Sequence, residues 1–121
     1  MKILLIDDDP DILLIVSFSL QKHGGHTVIK AASASEGFSQ AKHHQPDAII
    51  LDYLLPDETG IDLLARLHQL PELEKTKFIF LTGRSKPEEI DELLNAGVTA
   101  VITKPFQPEE MAEAVNSILI Q

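Results

Sequence analysis

Five polar side chains stand at or just past the ends of short apolar runs. Asp7 and Asp8 follow Ile3-Leu4-Leu5-Ile6, Asp52 follows Ala48-Ile49-Ile50-Leu51, Thr82 follows Phe78-Ile79-Phe80-Leu81, and Lys104 lies just past Ala100-Val101-Ile102. Three carboxylates gathered in one crevice could not be tolerated without counter-charge, because two of them about 5 Å apart repel by roughly 3 kcal/mol at an effective dielectric of 20. Lys104 supplies one positive charge. The remaining excess asks for a hard divalent cation, and an all-oxygen donor set favours magnesium, which keeps several waters and uses one or two carboxylates.

These groups meet only if the apolar runs are neighbouring parallel strands. Short apolar runs alternate with amphipathic stretches along the whole chain, the pattern of strands buried on both faces and joined by crossover helices. Five strands are expected, with Thr27-Val28-Ile29, the shortest and least apolar, at an edge. Asp9 before Pro10 reads as a helix N-cap and first residue, with the helix running to about Lys22. Ser33 to Glu36 and Ser85 to Glu88 both have capping-box spacing. A third helix is expected over about Ile61 to Leu70. Ile90, Leu93 and Leu94 mark the buried face of a fourth, stopped by Gly97, and Met111, Ala114, Val115 and Ile118 that of a fifth opened by Pro108. Gly24-Gly25, Pro56 to Gly60 and Pro71 to Lys77 read as loops. The result is a single α/β domain over 1–121, a (βα)5 open, doubly wound parallel sheet with right-handed crossovers; if its five strands take the flavodoxin-like order 2-1-3-4-5, the first and third are neighbours and the three carboxylates converge. In such sheets ligands bind beyond the carboxyl ends of the strands, where four of the five runs deliver a polar group.

The chain has 121 residues and a formal net charge of −9. That charge repels phosphate backbones and anionic lipid, so neither nucleic acid nor membrane is expected as a direct partner. The absence of cysteine excludes disulfides, thiolate metal sites and thiol nucleophiles. The apolar start ends at Asp7-Asp8-Asp9, too soon for an export signal, and no other run approaches the roughly 20 residues of a membrane span, so a cytoplasmic location is expected.

Over essentially its full length the chain resembles a response regulator receiver domain of two-component signalling. The resemblance rests on Ile6-Asp7-Asp8-Asp9, on Leu51-Asp52-Tyr53-Leu54-Leu55-Pro56 with Gly60 beyond it, on Leu81-Thr82-Gly83, and on Thr103-Lys104-Pro105-Phe106. It implies that Asp52 is the nucleophile that takes a phosphoryl group from a phosphohistidine on a sensor histidine kinase or histidine phosphotransfer protein. It further implies that Asp8, Asp52 and the main-chain carbonyl of Leu54 hold magnesium, with Asp7 acting through a water. Lys104 would pair with Asp52 and then with a phosphoryl oxygen, and Thr82 would bond another. The Lys104-Pro105 bond is expected to be cis, and the fourth helix, fifth strand and fifth helix to signal to a downstream effector or fused output domain. No turnover on an outside substrate is implied.

Other readings apply to some neighbours. Asp9 is expected to cap its helix, Asp11 to complement the helix dipole, Asp57 and Glu58 to decorate a loop, and Phe78 and Phe80 to pack in the core. His23, His26, His43, His44 and His68 are expected at the surface. The family's aromatic three residues before the lysine is Val101 here, which puts coupled movement of a threonine and a ring in doubt. Leu54 has no polar side chain to orient water, and Arg84 could pair with the phosphoryl group or Glu58. The Arg-free stretch Glu109 to Gln121 disfavours the dimer of the winged-helix branch, and both a stand-alone receiver and one cut from a longer regulator stay open. Two further functions stay open: a receiver fold used only as an interaction module, and a haloacid dehalogenase-type phosphohydrolase with Asp7 as nucleophile, although Asp11 stands where that family has Thr or Val.

Overall fold

In a computed structural model describing residues 1–83 and 85–120, five strands form one parallel sheet in the order β2-β1-β3-β4-β5. The strands are β1 (Lys2–Ile6), β2 (Thr27–Ala31), β3 (Ala48–Asp52), β4 (Lys77–Thr82) and β5 (Ala100–Thr103). They alternate with α1 (Pro10–Gly24), α2 (Ala34–His44), α3 (Gly60–His68), α4 (Pro87–Asn95) and α5 (Pro108–Leu119). The expected order is therefore the observed one, with β2 at one edge and β5 at the other.

Alternation along the central strands divides the core into two layers. Leu4, Ile6, Ile49, Leu51, Phe78 and Phe80 point to the side covered by α2, α3 and α4, where Leu63, Leu64, Leu67 and Leu93 meet them. Ile3, Leu5, Ile50, Ile79 and Leu81 point the other way, onto Val16 and Leu20 of α1 and Met111, Val115 and Ile118 of α5. Strands apolar at every position need both layers, because each face removes about half of their side chains from water. The buried Ser19 hydroxyl donates to the Pro108 carbonyl, tying α1 to the start of α5.

The starts of α1, α2 and α5 follow the local signals read from the sequence. Asp9 caps α1 by accepting the Asp11 amide, Ser33 caps α2 by accepting the Glu36 amide, and Thr59 caps α3 by accepting the Asp62 amide. At α4 the expected Ser85 cap does not form: Lys86 occupies the N-cap with no side-chain bond. Pro87 explains this, since its fixed φ and missing N–H suit the first helical position, which leaves the residue before it as the cap. Helix α3 begins one residue earlier than expected and stops at His68, and Pro71–Leu73 forms a 3-10 turn within the expected loop, with Leu73 buried. Lys77 belongs to β4 rather than to that loop, and β2 continues to Ala31 because its paired neighbour β1 continues to Ile6. Leu94, expected on the buried face of α4, is 42% exposed. Among the described residues no helix is long and apolar enough to cross a membrane.

Gly60 shows how closely the layers approach the end of β3. A Cβ there would collide with the Asp52 carbonyl oxygen and stand 2.8 Å from the Phe80 ring. Both neighbours are fixed, one in the backbone and one in the buried core. Gly60→Ala should therefore destabilise the protein by about 1–3 kcal/mol, whereas Gly83→Ala, with nothing within 4 Å of the added Cβ, should stay within about 0.5 kcal/mol. Urea unfolding of both variants checks this, and equal stabilities would contradict it.

Candidate functional site

Parallel register brings the ends of β1, β3 and β4 to one rim. Ile6 pairs with Leu51, Asp52 with Leu81 and Thr82 with Thr103. Asp7 is fully buried there; its amide donates to the Ala31 carbonyl and its Oδ1 accepts the Asp9 amide at 2.9 Å. Asp8 is exposed and Asp52 half-buried. One oxygen from each of Asp7, Asp8 and Asp52 lies within 4.8 Å of the others. The Lys104 amide donates to the Thr82 carbonyl at 2.7 Å, and its side chain turns back over the rim. Its Nζ stands 3.1 Å from Asp7 Oδ2 and 3.4 Å from Asp52 Oδ2. The Lys104-Pro105 bond is cis, as expected.

A cavity of about 320 Å³ opens beside the carboxylates, lined by Asp52, Tyr53, Leu54, Thr82, Gly83 and Lys104. The site residues expected from the sequence therefore gather at one rim: Asp52, Thr82, Lys104 and Leu54 line the cavity, whereas the buried Asp7 and the exposed Asp8 do not. Leu54 is 66% exposed and pairs through an isolated antiparallel bridge with Thr59. Val101, opposite Phe80 in the sheet, is half-buried against the α2–α4 layer. Arg84 lies outside the described residues, and Glu58 pairs with Arg66.

Two neighbours expected to be bland have partners. Asp57 accepts the Ala34 and Ser35 amides at 2.8 and 2.9 Å, so it caps α2 rather than merely decorating its loop. His26 is half-buried, with Nε2 2.6 Å from Asn116 Oδ1, because the turn after α1 folds it against α5. Neither contact has a sequence signal, since the partners are 22 to 90 residues away. The other surface feature missed is the surplus of apolar residues on α1, where Leu14, Ile15 and Phe18 are exposed at 66%, 41% and 54%. More apolar residues than one helix face can bury was the readable sign.

Electrostatics set the ionisation of the pair. Burial, and after it the Asp7 charge, push the Asp52 carboxyl above the ordinary carboxylate range despite the opposing pull of Lys104. Burial works against the charge on Lys104, but Asp52 and Asp7 outweigh it and hold its pKa above the usual lysine value. Asp52 thus keeps its proton to a higher pH in the folded chain than in the unfolded one. Its contribution to stability is full below the unfolded pKa and is lost as pH rises through the raised folded value. Asp52→Asn should accordingly raise the thermal unfolding midpoint by several degrees at neutral pH in metal-free buffer, with the gain shrinking as pH falls through the carboxylate range. A variant less stable than the wild type at neutral pH would contradict this.

Residues 3–116 match the response regulator receiver domain family. The alkaline phosphatase synthesis transcriptional regulatory protein PhoP of Bacillus subtilis is 35% identical over 120 residues, covering 98% of this chain and 48% of that protein. This chain spans about half the length of the first curated relatives it matches. The solved structure of the chemotaxis response regulator CheY4 of Vibrio cholerae superposes with a TM-score of 0.90 at 30% identity, covering 97% of each chain. A receiver domain protein from Methanospirillum hungatei gives 0.87 at 34% identity, covering 98% of this chain and 93% of that one. Receiver domains interact with histidine kinases or phosphotransfer proteins and generally bind magnesium, and the acidic cluster at this rim could hold such a metal. The chain belongs to the response regulator receiver domain family, whose general function is phosphorylation on an aspartate.

Proposed function

We propose that this domain accepts a phosphoryl group on Asp52 from the phosphohistidine of a sensor kinase or phosphotransfer protein. The observation that carries this reading is the difference among the three carboxylates. Asp52 alone lines the open cavity, with the Lys104 ammonium 3.4 Å from its Oδ2. Asp7, the nucleophile a phosphohydrolase would need, is fully buried and engaged by Lys104.

In the transfer, an Asp52 oxygen forms a bond to phosphorus as the phosphorus–nitrogen bond of the donor breaks. The imidazole leaves with the bonding pair and takes up a proton from solvent. Lys104 releases Asp52 and pairs with a phosphoryl oxygen, keeping its contact with Asp7. The Thr82 hydroxyl, at the neighbouring strand end, bonds a second oxygen. The donor set fits magnesium because it is wholly oxygen and three carboxylates exceed the single lysine charge. Asp8, Asp52 and the Leu54 carbonyl would hold the ion, Asp7 acting through a water, and the ion when bound neutralises charge on the phosphoryl oxygens. The work of the chain's own residues is then positioning and charge stabilisation.

An apolar groove supports a protein as donor. Ile12 and Ile15 of α1 line a groove with Lys104, Pro105, Phe106 and Pro108, and Leu14 and Phe18 extend the apolar surface along α1. A donor protein docked there would bring its phosphohistidine to the cavity. The altered charge at Asp52 would be read through Thr82 and Lys104 at the α4, β5 and α5 face by an effector or output domain.

Incubation with magnesium and a small phosphodonor should add the mass of one phosphoryl group to the wild type and none to Asp52→Asn, and a chelator should abolish the gain. An adduct that survives Asp52→Asn overturns the reading. Phe18→Ala should slow transfer from a phosphohistidine protein about tenfold, as truncation of a central apolar anchor does, and slow transfer from the small donor much less. Equal slowing with both donors would remove α1 from the docking surface.

A further inference from the structure

The short segment 31–35, between β2 and the first turn of α2, touches both halves of the acidic rim. On one side the Ala31 carbonyl accepts the Asp7 amide at 3.1 Å. On the other, Asp57 reaches across from the loop that follows Asp52. Its Oδ1 accepts the Ala34 amide at 2.8 Å and its Oδ2 the Ser35 amide at 2.9 Å. Helix α2 already has its own cap, with the Ser33 hydroxyl accepting the Glu36 amide at 3.1 Å. The carboxylate therefore takes up two further orphan amides of the first turn, where a negative charge is also favoured by the helix dipole. These bonds hold the Asp57 carboxyl below the ordinary carboxylate range.

The same loop is fastened at its other points. Its two ends are joined by the Leu54–Thr59 bridge and by the Gly60 amide donating to the Tyr53 carbonyl at 2.6 Å. Glu58, next to Asp57, pairs with Arg66 of α3, whose guanidinium lies 4.6 Å from the Phe38 ring of α2. The base of the loop is thus closed on itself, while its tip is held to α2 by Asp57 and to α3 by Glu58. Ala34 is fully buried, so its amide has no ready replacement for the Asp57 oxygen.

We propose that Asp57 is a positioning residue for the metal site: by clamping the Ala34 and Ser35 amides it fixes the loop that carries the Leu54 carbonyl relative to the Asp8 and Asp52 carboxylates. The inference rests on the reading of Leu54 as a magnesium ligand. A residue that holds a ligand-bearing segment in place acts on affinity without touching the ion. By reciprocity, filling the site must be felt at the start of α2.

Magnesium titrations of metal-free protein, followed by amide NMR, test this with wild type, Asp57→Ala, Asp57→Asn and Ser33→Ala. In the wild type the Ala34 and Ser35 amide signals should shift with the same Kd as Asp8. Asp57→Ala should raise that Kd about three- to tenfold, toward the lower end of the coupling between groups that share a network, and uncouple Ala34 and Ser35 from the titration. Asp57→Asn, which keeps one acceptor oxygen, should fall between. Ser33→Ala weakens α2 by its local cap and should lower the unfolding midpoint while leaving the Kd within about twofold. An unchanged Kd in Asp57→Ala, or an equal rise in Ser33→Ala, overturns the proposal. A wild type that binds no magnesium instead overturns the reading of the metal site, and the positioning role falls with it.

Discussion

The Lys104 ammonium between Asp7 and Asp52 is the contact on which the rim depends. At 3.1 and 3.4 Å, each attraction is worth about 5 kcal/mol at an effective dielectric of 20, before the cost of desolvating the groups. Against that, carboxylate oxygens within 4.8 Å of one another repel by about 3.5 kcal/mol per pair at the same dielectric. One lysine cannot balance three such groups, so the metal-free rim holds excess negative charge at a place the fold has partly removed from water. The raised Asp52 pKa follows first from that removal from water and then from the Asp7 charge. The site is therefore costly to the metal-free fold and receptive to cations. The two properties have one cause.

That cost is contained by the parallel sheet. The carboxylates sit at the ends of β1 and β3, whose Leu4, Leu5, Ile49 and Ile50 are fully buried, and β4 brings Thr82 to the same level through continuous pairing. The backbone bond from the Lys104 amide to the Thr82 carbonyl then fixes where the lysine begins its return over the rim. Shifting any of these strands by one residue would send its core residues to the opposite layer, so packing on both faces also determines the geometry of the charges.

What the sequence made legible is what adjacent residues determine. The apolar runs, the Asp9 and Ser33 caps and the polar residues at run ends are all local patterns, and they indicated alternating strands and helices; the strand order came with the family resemblance, and the Thr59 cap lay inside a stretch that read as loop. Strand length at the edge was less legible, because Lys30 and Ala31 of β2 pair with β1 without needing to be apolar on both faces. The start of α4 was misread because two local signals competed and Pro87 prevailed over Ser85. Asp57 and His26 could not be read at all. Their partners lie far along the chain, and nothing in an Asp five residues after Asp52, or a His after two glycines, specifies a distant amide or an Asn in the last helix.

The uneven anchoring of the helices bears on how a change at the rim would spread without an aromatic at Val101. Helices α3 and α4 have the same length, but α3 buries Gly60, Leu63, Leu64 and Leu67 and is capped by Thr59, whereas α4 buries Leu93 alone and starts from an uncapped Lys86. Fewer buried contacts and no side-chain cap make α4 the cheaper of the two to displace. The strand ends that would sense a phosphoryl group on Asp52 belong to β4 and β5, joined through Thr82 and Lys104, and Thr82 leads through its following loop to α4. Val101 stands opposite the fully buried Phe80 of β4, so the layer beside it is filled by a ring from β4 and not from β5. On the proposed reading, a shift of the Thr82 end of β4 would meet less resistance in α4 than in α3, which Thr59 caps and four buried residues anchor.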